Sequence, residues 1–412
     1  HQTRRVRAGP VSADPLNGGP PGTDLADLRA RGSVWREGLA PAVAGWLVAR
    51  VAVAFGYLLA RLLSGSVDLP DGRLHLDEGL MTYDGTFYRL IAQGWYDNPA
   101  LPEEGIRFFP GYPGLARVLS PLTLGNEDLA LLLVANASAI AAGALLWRLA
   151  VEVTGDRGTG VRAAWMVAVI PAANVFAFAY TESVMLLLVT AFLLALHRRA
   201  LGWAAGMGLL AGLLRPAGVI LVVPAAIEAW RWWISRRSST ADGPQHRRPA
   251  AAELLGWSAT LASSAVGLVA AMWIVSRRTG DISDAFTIQR QLRDGFRDPV
   301  TRLAGAVVDF AGGSLHDVYN VAFAVGFAVL FVVAVRRRQP VSWLALMAAT
   351  WLVAASANNI DSFGRYCVVA SPFVIALAQW ARSIRWQVVV ASVGLAGTLW
   401  YTTEVFLGRV IP

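Results

Sequence analysis

The chain has 412 residues, is 55% hydrophobic and only 16% charged, and has a mean hydropathy of +0.48. Those values exclude a water-soluble enzyme, a nucleic-acid module and a disordered scaffold, and they point to a polytopic membrane protein. The formal charge of +8 is arginine over acid, because the chain has no lysine, and in a membrane protein such a balance reflects basic cytoplasmic loops instead of nucleic-acid binding.

Residues His1 to about Arg36 mix Pro, Gly, Asp and Arg without periodicity and cannot bury a core. Residues 1–40 are therefore expected to be a cytoplasmic, mostly disordered tail, with residues 41–412 as one membrane unit. An opening at His1 instead of Met suggests a processed or tagged chain, and no cleavable signal peptide is expected. Apolar runs of roughly bilayer-spanning length follow. They are Pro41 to Ser64, Asp128 to Ala150, Arg162 to Phe178, Ser183 to Leu196, Leu201 to Leu214 and Ala217 to Trp233. Glu253 to Val275, Val318 to Val335, Val341 to Ala357, Val368 to Trp380 and Val388 to Val405 complete the set. The expected fold is all-α and polytopic, with about eleven spans.

Arginine placement orients this threading, because short cytoplasmic loops hold the positive charge. With the N-terminus inside, the inner loops carry Arg148, Arg157 and Arg162, then Arg198 and Arg199, then Arg236, Arg237, Arg247 and Arg248. Arg336, Arg337 and Arg338, then Arg382 and Arg385, continue the pattern. In the short outer loops, Arg215 and Arg365 break it. They either pair with Glu182 or Asp361, meet lipid phosphates, or hold an anionic ligand.

Two outer stretches, residues 65–123 and 277–317, are too long to be simple connections. In the second, Phe286, Leu292, Phe296, Val300, Leu303 and Val307 recur at three- and four-residue spacing around Arg290, Arg293, Arg297 and Arg302. That pattern predicts an amphipathic helix on the outer leaflet, either structural or a lid over a lipid entrance. The first stretch concentrates Asp68, Asp71, His75, Asp77, Glu78 and Asp84 with Tyr83, Phe87, Tyr88, Trp95 and Tyr96. Aromatic rings stack on the C–H faces of sugars and carboxylates accept hydroxyl protons, so this composition suits sugar handling, though acids in an outer loop are also simply solvated. His75 could join Asp71 and Asp77 around a metal, but one histidine among exposed acids reads better as a loop residue, and no metal site is expected. His316 and Asp317 read as an interfacial cap. The single Cys367 permits neither an internal disulfide nor a cysteine metal cluster.

The order of residues adds to this. The run Tyr83-Asp84-Gly85-Thr86-Phe87-Tyr88-Arg89-Leu90-Ile91-Ala92-Gln93-Gly94-Trp95-Tyr96, followed by Phe108-Phe109-Pro110-Gly111-Tyr112-Pro113, resembles the first luminal loop of the PIG-V family of mannosyltransferases. Tyr83 stands where that family usually has tryptophan, and Trp95 separates Gly94 from Tyr96. Pro171 to Phe176 with Tyr180-Thr181-Glu182-Ser183, then Arg215-Pro216-Ala217-Gly218, then Gly364-Arg365-Tyr366 with Ser371-Pro372-Phe373, are similar to further family segments in the same order.

The resemblance implies a GT-C glycosyltransferase that takes a sugar from polyprenyl-phosphate-mannose on the outer face of a membrane, here a bacterial plasma membrane to judge from the arginine-only composition. The acceptor would be a lipid or glycan, and the partners would be the donor and membrane lipids, with no nucleic acid and no cofactor. Asp84 is the implied catalytic base for the acceptor hydroxyl, with Asp77 and Glu78 in reserve and a helix N-cap as the competing role for Asp84. Arg365, Arg215, Glu182, Tyr83, Tyr88, Arg89 and Tyr366 are the implied substrate-binding residues, with the guanidiniums of Arg365 and Arg215 gripping the donor phosphate and Arg89, Arg107 and Arg293 in reserve for it. The alternatives are a GT-C transferase of another sugar, such as arabinose or glucose, and a lipid or solute transporter or flippase. The absence of a visible inverted repeat argues against transport.

Overall fold

The computed structural model describes residues 25–65, 75–238, 251–293, 298–312, 315–356 and 362–412. Asp68, Asp71, Asp361, Arg247, Arg248, Phe296, Arg297 and most of the expected tail lie outside the described residues. Every regular element among the described residues is helical. The long first helix, α1 (Leu25–Leu63), begins inside the stretch expected to be tail. The first outer stretch holds α2 (Asp84–Gly94) and α3 (Gly111–Leu119) among short 3₁₀ turns. Then come α4 (Glu127–Thr154), α5 (Arg157–Val169), α6 (Glu182–His197), α7 (Leu201–Leu214), α8 (Val222–Ser238) and α9 (Ala251–Thr279). The second outer stretch contains α10 (Asp284–Arg293) and α11 (Pro299–Ala311). The chain closes with α12 (Leu315–Arg336), α13 (Val341–Ala355), α14 (Phe363–Val368), α15 (Ser371–Trp380) and α16 (Ile384–Phe406).

Each expected apolar run contains helix, and among the described residues six helices are long and apolar enough to cross a bilayer: Arg36–Leu63, Glu127–Thr154, Pro216–Arg236, Ala251–Thr279, Val318–Arg336 and Ile384–Phe406. The fold is that of an all-helical, multi-spanning membrane protein. Two of the shorter helices end at proline. Ile170 is extended before Pro171, so α5 gives way to a 3₁₀ turn over Pro171–Phe176. Arg215 is likewise extended before Pro216 and stops α7. On α1, Leu47, Val51, Phe55, Leu58 and Leu62 are exposed at three- and four-residue spacing. A stripe of that kind suits hydrocarbon, not water.

Local signals fix the helix ends. Asn126 caps α4 by accepting from the Leu129 amide at 2.9 Å, and Asp156 caps α5 by accepting from Gly158 and Thr159. Between α7 and α9 the backbones nearly touch, at Gly208, Gly212 and Gly267. A methyl group on Gly267 would lie 2.0 Å from the Leu209 carbonyl oxygen, and one on Gly212 2.1 Å from that of Ser264. Small residues at this spacing let membrane helices approach closely, and dispersion over that contact holds the pair. Deeper in the bundle, Arg50 of α1 donates to Asn136 Oδ1 at 2.7 Å and to the Phe176 carbonyl at 2.5 Å, locking α1 to α4 and the 3₁₀ turn.

The single amphipathic helix expected in the second outer stretch is two helices. Asp298 accepts from the amides of Val300 and Thr301 at 3.0 and 3.2 Å, and Pro299 opens α11. An Asp-Pro pair starts a helix and resists being the middle of one. Charged partners also sort the helix ends. Glu152 near the end of α4 pairs with Arg148 and with Arg198 beyond α6, and Arg157 lies 3.7 Å from Glu37 of α1. These basic connections gather at one end of the bundle, and α2, α3, α14 and the end of α16 gather at the other.

Candidate active site

At that second end a cavity of about 450 Å³ opens between α2, the turn Glu103–Arg107, the α7–α8 connection, α10 and α14. Asp84, Tyr88, Arg107, Arg215, Arg365 and Tyr366 supply most of its polar wall. Leu214, Ala217, Ile220 and Val353 supply an apolar wall from helices that lead into the membrane region.

Asp84 reaches this wall through an unusual turn. Tyr83 adopts φ +52° and ψ −117°, a conformation that costs a non-glycine residue of order 1–3 kcal/mol. Its surroundings hold it there. The Tyr83 hydroxyl lies 3.3 Å from the carbonyls of both Val405 and Val410, and its ring packs on His75 with centroids 4.1 Å apart. Asp84 thus becomes the first residue of α2, where the helix N-terminus favours negative charge. It is not an N-cap: no side chain caps α2, and Asp84 Oδ2 instead accepts from Arg365 Nη1 at 2.6 Å.

Arg365 is aimed by an equally constrained segment. Ser362, in the left-handed region at φ +69°, precedes α14, and its hydroxyl donates to the Pro412 carbonyl at 2.8 Å. Gly364 admits Phe323 and Ala172 so closely that a methyl group there would meet them at 2.7 and 2.8 Å. Glu182 opens α6 and is only 1% exposed. It pairs with Arg215 and lies 3.6 Å from Arg365 Nε. The Arg215 guanidinium sits over the Tyr366 ring at 5.0 Å, and that of Arg365 over Tyr180 at 5.5 Å. Four charges from α2, α6, the residue after α7 and α14 therefore form one cluster with the order Asp84, Arg365, Glu182, Arg215.

The cluster sets the protonation of Asp84. Burial by itself would raise the carboxyl, but Arg365, through charge and hydrogen bond, with Arg107 and Arg215 behind it, holds it below the ordinary carboxylate value. Asp84 is an ionised carboxylate at neutral pH, able to accept a proton.

Of the residues expected at the site, Asp84, Arg365, Arg215, Tyr88 and Tyr366 line the cavity, and Glu182 stands behind the two arginines. Tyr83 does not line it; its hydroxyl faces the end of α16, so its contribution is to aim Asp84. Arg89 turns away and lies 3.6 Å from Asp128. Of the aromatic residues expected for stacking on sugar, Tyr88 lines the cavity, Tyr83, Phe87 and Trp95 are half-buried against the core, and Tyr96 is core. Tyr96 donates to the Phe108 carbonyl at 2.6 Å and Tyr112 to that of Leu131 at 2.8 Å, both buried, while Phe108 and Phe109 reach the cavity. His75 Nδ1 lies 3.5 Å from Glu78 Oε2, and among the described residues no group of three His, Cys, Asp or Glu side chains is placed to hold a metal ion. Arg107, held in reserve by the sequence with Arg89 and Arg293 as a place for the donor phosphate, is a wall residue of the cavity, and sequence reasoning missed the partnership of Arg365 with Asp84.

No known family and no curated protein matches the chain by sequence. Among solved structures, the chain is similar to the oligosaccharyltransferase of Archaeoglobus fulgidus. The apo form gives a TM-score of 0.45 at 14% identity over 89% of this chain and 56% of that one. The same archaeal protein, AglB, in complex with an inhibitory peptide and a dolichol-phosphate gives 0.42 at 13% identity over 89% and 55%. Its complex with Zn and sulfate gives 0.42 at 14% identity over 88% and 52%. The chain spans about half the length of the structures it matches.

Proposed function

We propose that this chain is an inverting mannosyltransferase of the GT-C type, similar to the PIG-V family, that moves mannose from polyprenyl-phosphate-mannose to a lipid-anchored or secreted acceptor on the outer face of a bacterial plasma membrane. The observation that carries this reading is the ionised carboxylate of Asp84 on the wall of a cavity it shares with Arg365 and Arg215. That cavity is lined partly by apolar residues of membrane-directed helices. The basic helix connections lie at the opposite end of the bundle, which supports a cytoplasmic N-terminus and an outward-facing cavity.

In the proposed reaction the acceptor hydroxyl oxygen attacks the anomeric carbon of the donor sugar, and the bond from that carbon to the phosphate oxygen breaks on the opposite side. The hydroxyl proton passes to the Asp84 carboxylate, and the polyprenyl phosphate leaves with the bonding electron pair. Arginine charge beside the leaving phosphate offsets the negative charge that develops there. Arg365 also fixes the direction of the Asp84 carboxylate, a restraint that proton transfer needs.

The test is to incubate the detergent-solubilised protein with labelled polyprenyl-phosphate-mannose and a membrane-lipid extract, and to follow labelled product and free polyprenyl phosphate. A transferase produces both in equal amounts. A flippase releases no polyprenyl phosphate, and intact donor after prolonged incubation with every acceptor extract would sink the proposal. Mass spectrometry of membrane lipids and secreted glycans from cells with and without the protein then identifies the acceptor.

A further inference from the structure

The two arginines best placed to meet a donor phosphate are already neutralised. Arg365 is bonded to Asp84 and lies beside Glu182, and Arg215 is paired with Glu182. Two carboxylates therefore balance two guanidiniums. The cavity has a third cationic group, Arg107, at the end of the 3₁₀ turn Glu103–Arg107.

Arg107 differs from the other two. No carboxylate among the described residues pairs with it, whereas Arg365 and Arg215 each have one; its Nε, like that of Arg365, is buried with no hydrogen-bond partner. Its guanidinium lies 4.9 Å from the centre of the Phe108 ring, so one side rests on an aromatic face and the donors stay available. Its charge acts on Asp84, which puts it in the same electrostatic neighbourhood as the cluster. A buried guanidinium N–H without a partner is costly, and an anionic oxygen is the partner that repays most of that cost.

We infer that Arg107 is the anion-binding residue of this cavity, taking a phosphate-ester oxygen of the ligand, while Arg365 and Arg215 act as positioning residues for Asp84 and Glu182. This rests on the polyprenyl-phosphate reading above for the lipid part of the ligand, but the anion subsite itself rests on Arg107. The charge balance agrees: the paired cluster sums to zero, Arg107 adds one positive charge, and a sugar phosphodiester has one negative charge. The turn bearing Arg107 packs against α10, whose Phe286 and Gln289 line the same cavity. The phosphate would thus sit where the first and second outer stretches meet at the cavity wall.

The experiment measures binding of farnesyl phosphate, inorganic phosphate and farnesol to the detergent-solubilised full chain by calorimetry, for wild type, Arg107→Gln and Arg107→Lys, beside thermal stability. Arg107→Gln should weaken farnesyl phosphate binding by roughly tenfold to a hundredfold, leave farnesol binding unchanged and flatten the salt dependence. Arg107→Lys should recover part of the loss, because it keeps the charge without the planar fork. If Arg107→Gln binds farnesyl phosphate as tightly as wild type, the assignment of Arg107 fails and the polyprenyl reading stands. If wild type binds inorganic phosphate through Arg107 but shows no affinity for farnesyl phosphate, the anion subsite stands and the polyprenyl reading fails. Wild type that binds neither phosphate overturns both, and equal loss of farnesol and farnesyl phosphate in Arg107→Gln marks Arg107 as structural and overturns the assignment.

Discussion

Arg365 Nη1 and Asp84 Oδ2 lie 2.6 Å apart although the residues are 281 positions apart in the chain. That contact ties the first outer stretch to the start of α14 and orients the carboxylate read here as the catalytic base. A partly buried ion pair of this kind is costly to break from one side, because the remaining charge is left without a partner.

Asp84→Asn should therefore abolish transfer while leaving farnesyl phosphate binding largely intact. Losing a positioned base typically lowers the rate about a hundredfold to ten-thousandfold. Initial rates with labelled donor, taken beside a melting curve, separate lost chemistry from lost fold. Retention of more than half the turnover would move the base to Asp77 or Glu78.

Arg365→Ala leaves Asp84 without its hydrogen-bonded partner and Glu182 with Arg215 alone. Breaking such a pair from one side costs about 3–5 kcal/mol when both charges are buried, and less here because Asp84 is partly exposed. The expected outcome is a lower melting temperature and a kcat that falls more than donor affinity does. Arg365→Lys should recover only part of both, since a single ammonium cannot span Asp84 and Glu182 as a planar guanidinium does. Equal donor affinity and equal turnover in wild type and Arg365→Ala would remove Arg365 from the site.

The pH dependence has a definite sign. Asp84 is held below the ordinary carboxylate value, so its contribution to stability is fully present above about pH 4, the unfolded value, and is lost as pH falls through the lower folded value. Transfer rate should show no acid limb attributable to Asp84 between about pH 5 and 7. A rate profile over that range, and melting curves extended to about pH 2, check this. A limb near pH 6 that persists in both Asp77→Asn and Glu78→Gln would contradict an ionised resting carboxylate.

Orientation is open to direct labelling. After Cys367→Ala, an exposed cysteine at Glu104 or Ile282 should react with a membrane-impermeant thiol reagent from outside, and one at Arg337 only after permeabilisation. The reverse pattern would turn the cavity toward the cytoplasm and remove the support for a polyprenyl-phosphate donor.

The α7–α9 contact predicts a structural phenotype away from the cavity. Gly267→Ala places a methyl group against the Leu209 backbone, and overpacking of that kind typically costs about 1–3 kcal/mol. The melting temperature in detergent should fall, with the Kd for farnesyl phosphate unchanged in the protein that remains folded.

Much of this protein is legible from local sequence. Apolar runs longer than a bilayer thickness define helices wherever they occur, because backbone groups in hydrocarbon must be satisfied within the segment. Pro171, Pro216 and Pro299 mark where helices stop or start, because proline constrains the residue before it and lacks an amide hydrogen. The exceptional positions of Arg215 and Arg365 are readable because basic residues are few in short outer loops, and the candidate role of Asp84 is readable from the resemblance of its segment to the family. What only the tertiary structure decided is which charges meet. Pairing is set by distances between helices, and no local pattern encodes that Arg365 reaches Asp84, that Glu182 bridges both arginines, or that Arg89 turns to Asp128. Burial is decided the same way. Tyr96 belongs to the aromatic set expected to handle sugar, yet it is buried with its hydroxyl donating to the Phe108 carbonyl, and Arg107 is a cavity guanidinium with no carboxylate partner among the described residues.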